Sequence, residues 1–308
     1  MKNSKKIKSL VSLFLCLCLL CSAVISLSSC EKKKFDYELN EDGSGYTITG
    51  YRGDKATVRI PEKYKSKPVI AIGKEAFAKN TTMQNVVIPE GVKVIEFKAF
   101  YNCTSLVAAE LPEGLTKISS GAFEKCTALK EIKIPEGVTT VIDGAFMGCS
   151  SLTSVSLPST LSSVSGLAFI NCSSLSEFTA SKNNKTFKVL EGSLVNNEGK
   201  LIVGVAKSDV TIADSITEIG IGAFSGKNIV SIVVPTSVES VGQLAFANCQ
   251  NLKSVFYLGS ESEYSGIEIG EINAPFEKAT VYFYSESKPA QDGNFWRYVD
   301  GKATVWSN

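Results

Sequence analysis

Five cysteines are the residues whose type and spacing could do chemistry. Cys103, Cys126, Cys149 and Cys172 lie 23 residues apart, and Cys249 holds the same place in a later copy of the surrounding text. If copies stack at about 4.8 Å, the spacing of paired strands, the thiols form a row. Adjacent thiols could then be bridged, since disulfides span Cα separations of about 4.4–6.8 Å. A straight row does not surround a tetrahedral zinc ion, so no metal is expected. The third reading, and the one adopted, is a column of buried free thiols acting as small hydrophobes. Spacing alone leaves its oxidation state open. The chain has no histidine, which removes Ser-His-Asp and Cys-His catalysis, the HExxH zinc site and any imidazole pH switch. No phosphate-binding loop, dinucleotide fingerprint or EF-hand loop is present, so no cofactor is expected either. Carboxylates are scattered rather than paired.

The cysteines belong to a repeat. The dipeptide Ala-Phe recurs with its phenylalanine at Phe77, Phe100, Phe123, Phe146, Phe169, Phe224 and Phe246. Residues 88–110, 111–133, 134–156 and 157–179 align without a gap on the text [IL]-P-x-x-[VL]-x-x-[VI]-x-x-x-A-F-x-x-C-[TS]-x-L. Residues 234–256 repeat it, and 212–233 follow it with one residue deleted and no cysteine. Such regularity signals a solenoid, in which no unit buries its apolar side alone. Each unit has one stretch of strand character, Leu-x-x-[VI]-x-[IL], which proline then ends. A second short apolar pair follows, such as Val138 and Val141, and Ala-Phe turns the chain. Seven or eight mainly β coils are expected, with short turns or 3₁₀ pieces at Ala-Phe.

Alternation in the strand puts the two residues flanking [VI] outward. This names a candidate binding face: Glu110, Glu131, Lys133, Glu177, Thr179 and Phe256. It is small and polar until Phe256, whereas binding hot spots favour Trp, Tyr and Arg. Two regions depart from the repeat. Residues 180–211 expand one gap, and Phe187–Val195 and Leu201–Val205 read as strands around Asn196-Asn197-Glu198-Gly199. Residues 257–308 turn aromatic, which reads as a C-terminal cap; a sugar-stacking site at Trp296 and Tyr298 is the alternative.

The repeat text resembles the BspA-type leucine-rich repeat, over about residues 46–306. The resemblance implies a right-handed leucine-rich-repeat solenoid of 23-residue coils, with irregular N- and C-terminal caps. It also implies adhesion or protein binding at a bacterial surface, and not catalysis.

The N-terminus reads as an address. Residues 1–9 are basic and 10–27 almost wholly apolar, the pattern of an export signal. They end in Leu27-Ser28-Ser29-Cys30, which resembles a bacterial lipobox. That resemblance implies a signal peptide over 1–29, lipid attachment at Cys30, and a lipidated tether over 30–45 holding the chain at the envelope. The alternative is an uncleaved membrane anchor, and both place residues 46–256 and their cap outside the cytoplasm.

Lys+Arg is 32 and Asp+Glu 31. Four of the cations, Lys2, Lys5, Lys6 and Lys8, fall in the first nine residues; without them the balance is 28 − 31 = −3. No nucleic-acid partner is expected, since that needs a basic surface. The expected partner is an extracellular protein or glycan. A spacer lipoprotein without a dedicated ligand is the alternative, and a carboxylate-based carbohydrate-active enzyme a third reading.

Overall fold

Coils from residue 85 onward begin with a short strand whose middle residue points inward. In Asn85–Val87, Glu131–Lys133 and Ser154–Leu157 that residue is β-branched and buried between two less buried neighbours, while Ala109 and Phe178 hold the place in Ala108–Glu110 and Glu177–Ala180. One strand cannot be satisfied alone, so successive strands pair in parallel with the register stepping one repeat: Glu131↔Ser154↔Glu177 and Ile132↔Val155↔Phe178. A second column of two-residue strands follows: Val94–Ile95, Lys117–Ile118, Thr140–Val141 and Ser163–Val164. The chain is thus a mainly β solenoid of leucine-rich-repeat type. It has about ten turns rather than seven or eight, because the caps and the irregular region supply turns of their own. The computed structural model describes residues 34–290 and 292–307. Cys30 and the expected signal peptide lie outside the described residues. No described helix is long and apolar enough to cross a membrane; the longest, Ala274–Lys278, has 5 residues.

The Ala-Phe segment turns the chain through a repeated backbone device. Residues two before and two after the phenylalanine have positive φ: Glu75 and Lys79, Lys98 and Asn102, Gly121 and Lys125, Gly144 and Gly148, Gly222 and Gly226, Leu244 and Asn248. That conformation costs an L residue about 1–2 kcal/mol and glycine almost nothing, which accounts for the glycines at these places. At Phe169 the first of the two is replaced by a 3₁₀ turn, Gly166–Phe169, capped by Ser165. Between the bends the phenylalanine N–H donates to the alanine carbonyl of the next coil: Phe77 to Ala99, Phe100 to Ala122, Phe123 to Ala145, Phe146 to Ala168. The rings then stack at 4.9–5.6 Å from Phe77 to Phe169.

Three expected boundaries move. Residues 35–39, within the expected tether, form a strand paired antiparallel with Tyr46–Tyr51. The cause is apolar: Phe35 is buried against the rings of Tyr51 and Phe77. In the irregular region, the single strand expected over 187–195 is two, Phe187–Leu190 and Ser193–Asn196. They fold at Glu191-Gly192, where φ is positive at both residues. Lys200–Val203 rejoins the stack by pairing in parallel with Glu218–Ile219. At the C-terminus, residues 257–284 are a further coil rather than cap. Phe276 stacks on Phe246 at 4.5 Å, and Thr280–Tyr284 continues the parallel sheet. Asn273 enables this: its side-chain oxygen accepts from the Phe246 N–H, where other coils offer the alanine carbonyl.

The core is a column in two segments. One runs from Phe35 to Val205, the other from Val195 to Ala279. They meet at the irregular region, where Gly204 donates its N–H to the Ala223 carbonyl. Gly204 approaches so closely that a Cβ there would lie 2.0 Å from the Phe224 ring. Glycine is required, and its backbone takes the place a phenylalanine ring holds elsewhere.

Candidate functional site

The thiol column has a structural role that spacing did not reveal. Each sulfur donates to the phenylalanine carbonyl one coil back: Cys103 to Phe77 (3.0 Å), Cys126 to Phe100 (3.1 Å), Cys149 to Phe123 (3.1 Å) and Cys172 to Phe146 (3.2 Å). Cys249 does the same to Phe224 at 3.0 Å. The thiol is a second donor to a carbonyl that already accepts a backbone N–H from three residues on, as Phe123 does from Cys126, and it adds about 0.5–1.5 kcal/mol. All five are buried and free. Burial pushes the Cys126, Cys149 and Cys172 thiols up, and raises Cys249 to about 11. These are protonated, shielded sulfurs, the opposite of a reactive thiolate.

The coil without a cysteine fills the slot with Lys227, three residues after Phe224. Its side chain is buried, and its ammonium donates to the carbonyls of Phe169 and Cys172. Burial lowers its pKa. Here the Gly204 N–H donates to the Ala223 carbonyl, and the long lysine side chain reaches back to the Phe169 turn. The missing cysteine in this unit was the sequence signal for Lys227, since the lysine occupies the cysteine column.

The strand face is where alternation placed it over the first half of the stack. Glu110, Glu131, Lys133, Glu177 and Thr179 are all exposed. Glu131, Ser154 and Glu177 form one row, and Lys133, Ser156 and Thr179 the next. Lys133 pairs with Glu113 at 2.7 Å and Ser156 bonds Thr179 at 2.8 Å. Phe256 is not part of this open face. It is on the outward side but buried, under Trp296 at 5.3 Å between ring centres. Val233, Phe256 and Trp296 make a small separate core, and Trp296 donates its indole N–H to the Tyr257 carbonyl at 2.9 Å. Trp296 itself is 0% exposed, so it cannot receive a ligand directly; Tyr298 is exposed. The closing hairpin, Phe295–Val299 with Lys302–Val305, thus folds back over the outward face.

A further cluster escaped sequence reading because Phe97, Lys98 and Tyr101 fall at positions the repeat text leaves open, and Lys125 joins them from the next coil. On the Ala-Phe edge, Lys98 Nζ sits 5.2 Å from the Phe97 ring centre and 4.7 Å from that of Tyr101. Lys125 caps Tyr101 from the next coil, and Phe97 is exposed. Among the described residues no group of Cys, Asp and Glu gathers in a way that could hold a metal ion.

The repeat region matches the BspA type leucine rich repeat region, in 6 copies, over residues 70–190 and 205–269. Among solved structures, the chain is similar to a leucine-rich repeat protein from Bacteroides ovatus, with 21% identity, 85% of this chain and 71% of that one covered, and a TM-score of 0.55. It is similar also to one from Eubacterium ventriosum, with 19% identity, coverage of 82% and 77%, and a TM-score of 0.57. At these identities the likeness is one of fold. Comparison with curated proteins finds no match. The family match spans more than half of the chain and coincides with the coils described above: the chain belongs to the BspA-type leucine-rich repeat family.

Proposed function

We propose that the chain is an exported binding protein, held at the bacterial surface by lipid on Cys30, that recognises an extracellular protein or glycan. The observation that carries the reading is the open strand face. Its exposed rows, Glu131-Ser154-Glu177 and Lys133-Ser156-Thr179, run in register along the stack at about 4.8 Å per coil. An extended ligand could follow such rows from coil to coil. The Leu27-Ser28-Ser29-Cys30 text supports the anchor.

One observation favours a spacer without a ligand: with Phe256 covered, the open face has no aromatic anchor of the kind that dominates binding energy. An enzymatic reading would use a surface depression of about 600 Å³ lined by Glu38, Glu41, Asp42, Lys74 and Glu96. Carbohydrate turnover by the purified protein would bring that reading forward.

Two experiments test the proposal. A fatty-acid label should enter the wild type and not Cys30→Ala; equal labelling would remove the anchor. Pull-down and glycan-array binding should be saturable, and lost on combined replacement of Glu131, Lys133 and Glu177 by alanine. Absence of any saturable ligand would put the spacer reading ahead.

A further inference from the structure

The closing hairpin brings together residues that no repeat aligns. Tyr284 lies opposite Trp296 in the parallel pairing, and Tyr298 follows two residues on, so alternation puts all three on one face. Trp296 is wholly buried and held by its bond to Tyr257. The two tyrosines rest edge-on against it, Tyr284 at 5.3 Å and 72°, Tyr298 at 4.9 Å and 73°. Their ring centres are 6.3 Å apart. They remain 37% and 41% exposed, so a fixed indole supports two accessible phenol rings.

We propose that Tyr284 and Tyr298 form a binding site for a glycan at the C-terminal end of the strand face. Tyrosine rings offer an apolar surface to the C–H side of a pyranose, and their hydroxyls offer hydrogen bonds at the rim. The site goes beyond the strand-face reading, because it uses neither Glu131, Lys133 nor Glu177.

Both tryptophans of the chain, Trp296 and Trp306, lie in this hairpin region, so intrinsic fluorescence reports the site. The purified lipidated chain, in a detergent without a sugar headgroup, is titrated with maltohexaose, cellohexaose, chitohexaose and mannohexaose. A saturable change in emission is expected with at least one of them. Tyr298→Ala should weaken it by about tenfold, equivalent to about 1.4 kcal/mol. Tyr298→Phe keeps the ring and should fall between. The triple alanine variant at Glu131, Lys133 and Glu177 should bind the sugar as the wild type does. No saturable response to any of the four sugars overturns the site, as does binding that survives Tyr298→Ala. Protein capture lost on Tyr298→Ala without sugar binding overturns the glycan class. Loss of a captured ligand only in the triple variant leaves the strand face standing and this site refuted.

Discussion

The Lys227 ammonium lies 3.0 Å from the Cys172 carbonyl and 3.2 Å from that of Phe169, in a slot where other coils place a sulfur. A lysine so buried is held below its ordinary 10.5 by loss of hydration. Its native pKa is thus lower than its unfolded one, so the unfolded chain binds more protons between the two values. Stability rises with pH across that window. As pH climbs toward 10.5, the wild type should gain stability relative to Lys227→Met. Denaturation of both proteins across this range decides it, and parallel curves would show that Lys227 titrates as if exposed.

The thiol column gives the opposite sign. Burial raises the Cys126, Cys149, Cys172 and Cys249 values above the unfolded 9.0, so their contribution is complete below pH 9 and is lost as pH rises through the native values, about 11 for Cys249. A thiol-reactive chromogenic reagent at neutral pH should leave all five described cysteines unmodified in the native protein and label them after unfolding. Rapid native labelling would mean that the column is open to solvent. Cys149→Ala removes the second donor to the Phe123 carbonyl, which keeps the Cys126 N–H, and should cost about 0.5–1.5 kcal/mol.

Phe146→Ala should cost about 3–5 kcal/mol, by leaving a cavity in a ring stack that touches both neighbours. Phe276→Ala is expected to cost about as much, because Phe276 is 0% exposed and stacks on Phe246. Urea midpoints measure both. A negligible effect at Phe276 would return residues 257–284 to the cap.

Trp296→Ala should uncover Val233 and Phe256. Increased binding of a hydrophobic dye, without loss of the far-ultraviolet β signal, is the expected result. Unchanged dye binding would mean that the hairpin does not shield the outward face.

The ladder was legible because Ala-Phe keeps a 23-residue register, and stacked turns must repeat whatever residue fills the axis. The open half of the strand face was legible too, since alternation fixes the side on which Glu131 and Lys133 project. Alternation says nothing of what later folds across that side, which is why Phe256 was placed in solvent. Phe276 was hidden because Pro275 interrupts the dipeptide and Asn273 does with its side chain what alanine does with its backbone. Phe35–Leu39 was hidden because an edge strand of a cap need not obey the repeat. Tyr284 and Tyr298 share no repeat text, and only the pairing of Phe295–Val299 beside Thr280–Tyr284 makes them neighbours.

The division of the core at the irregular region bears on how the molecule carries load. In a stack where each coil touches only its neighbours, the weakest junction sets where separation begins. Here the ring column is interrupted between Phe169 and Phe224, and Lys227 and the Gly204 backbone bridge the gap. Pulled from its two ends, as a surface protein gripped by a distant ligand would be, the chain should extend in two force steps. The segment of five stacked phenylalanines and the shorter segment after it then yield as separate units.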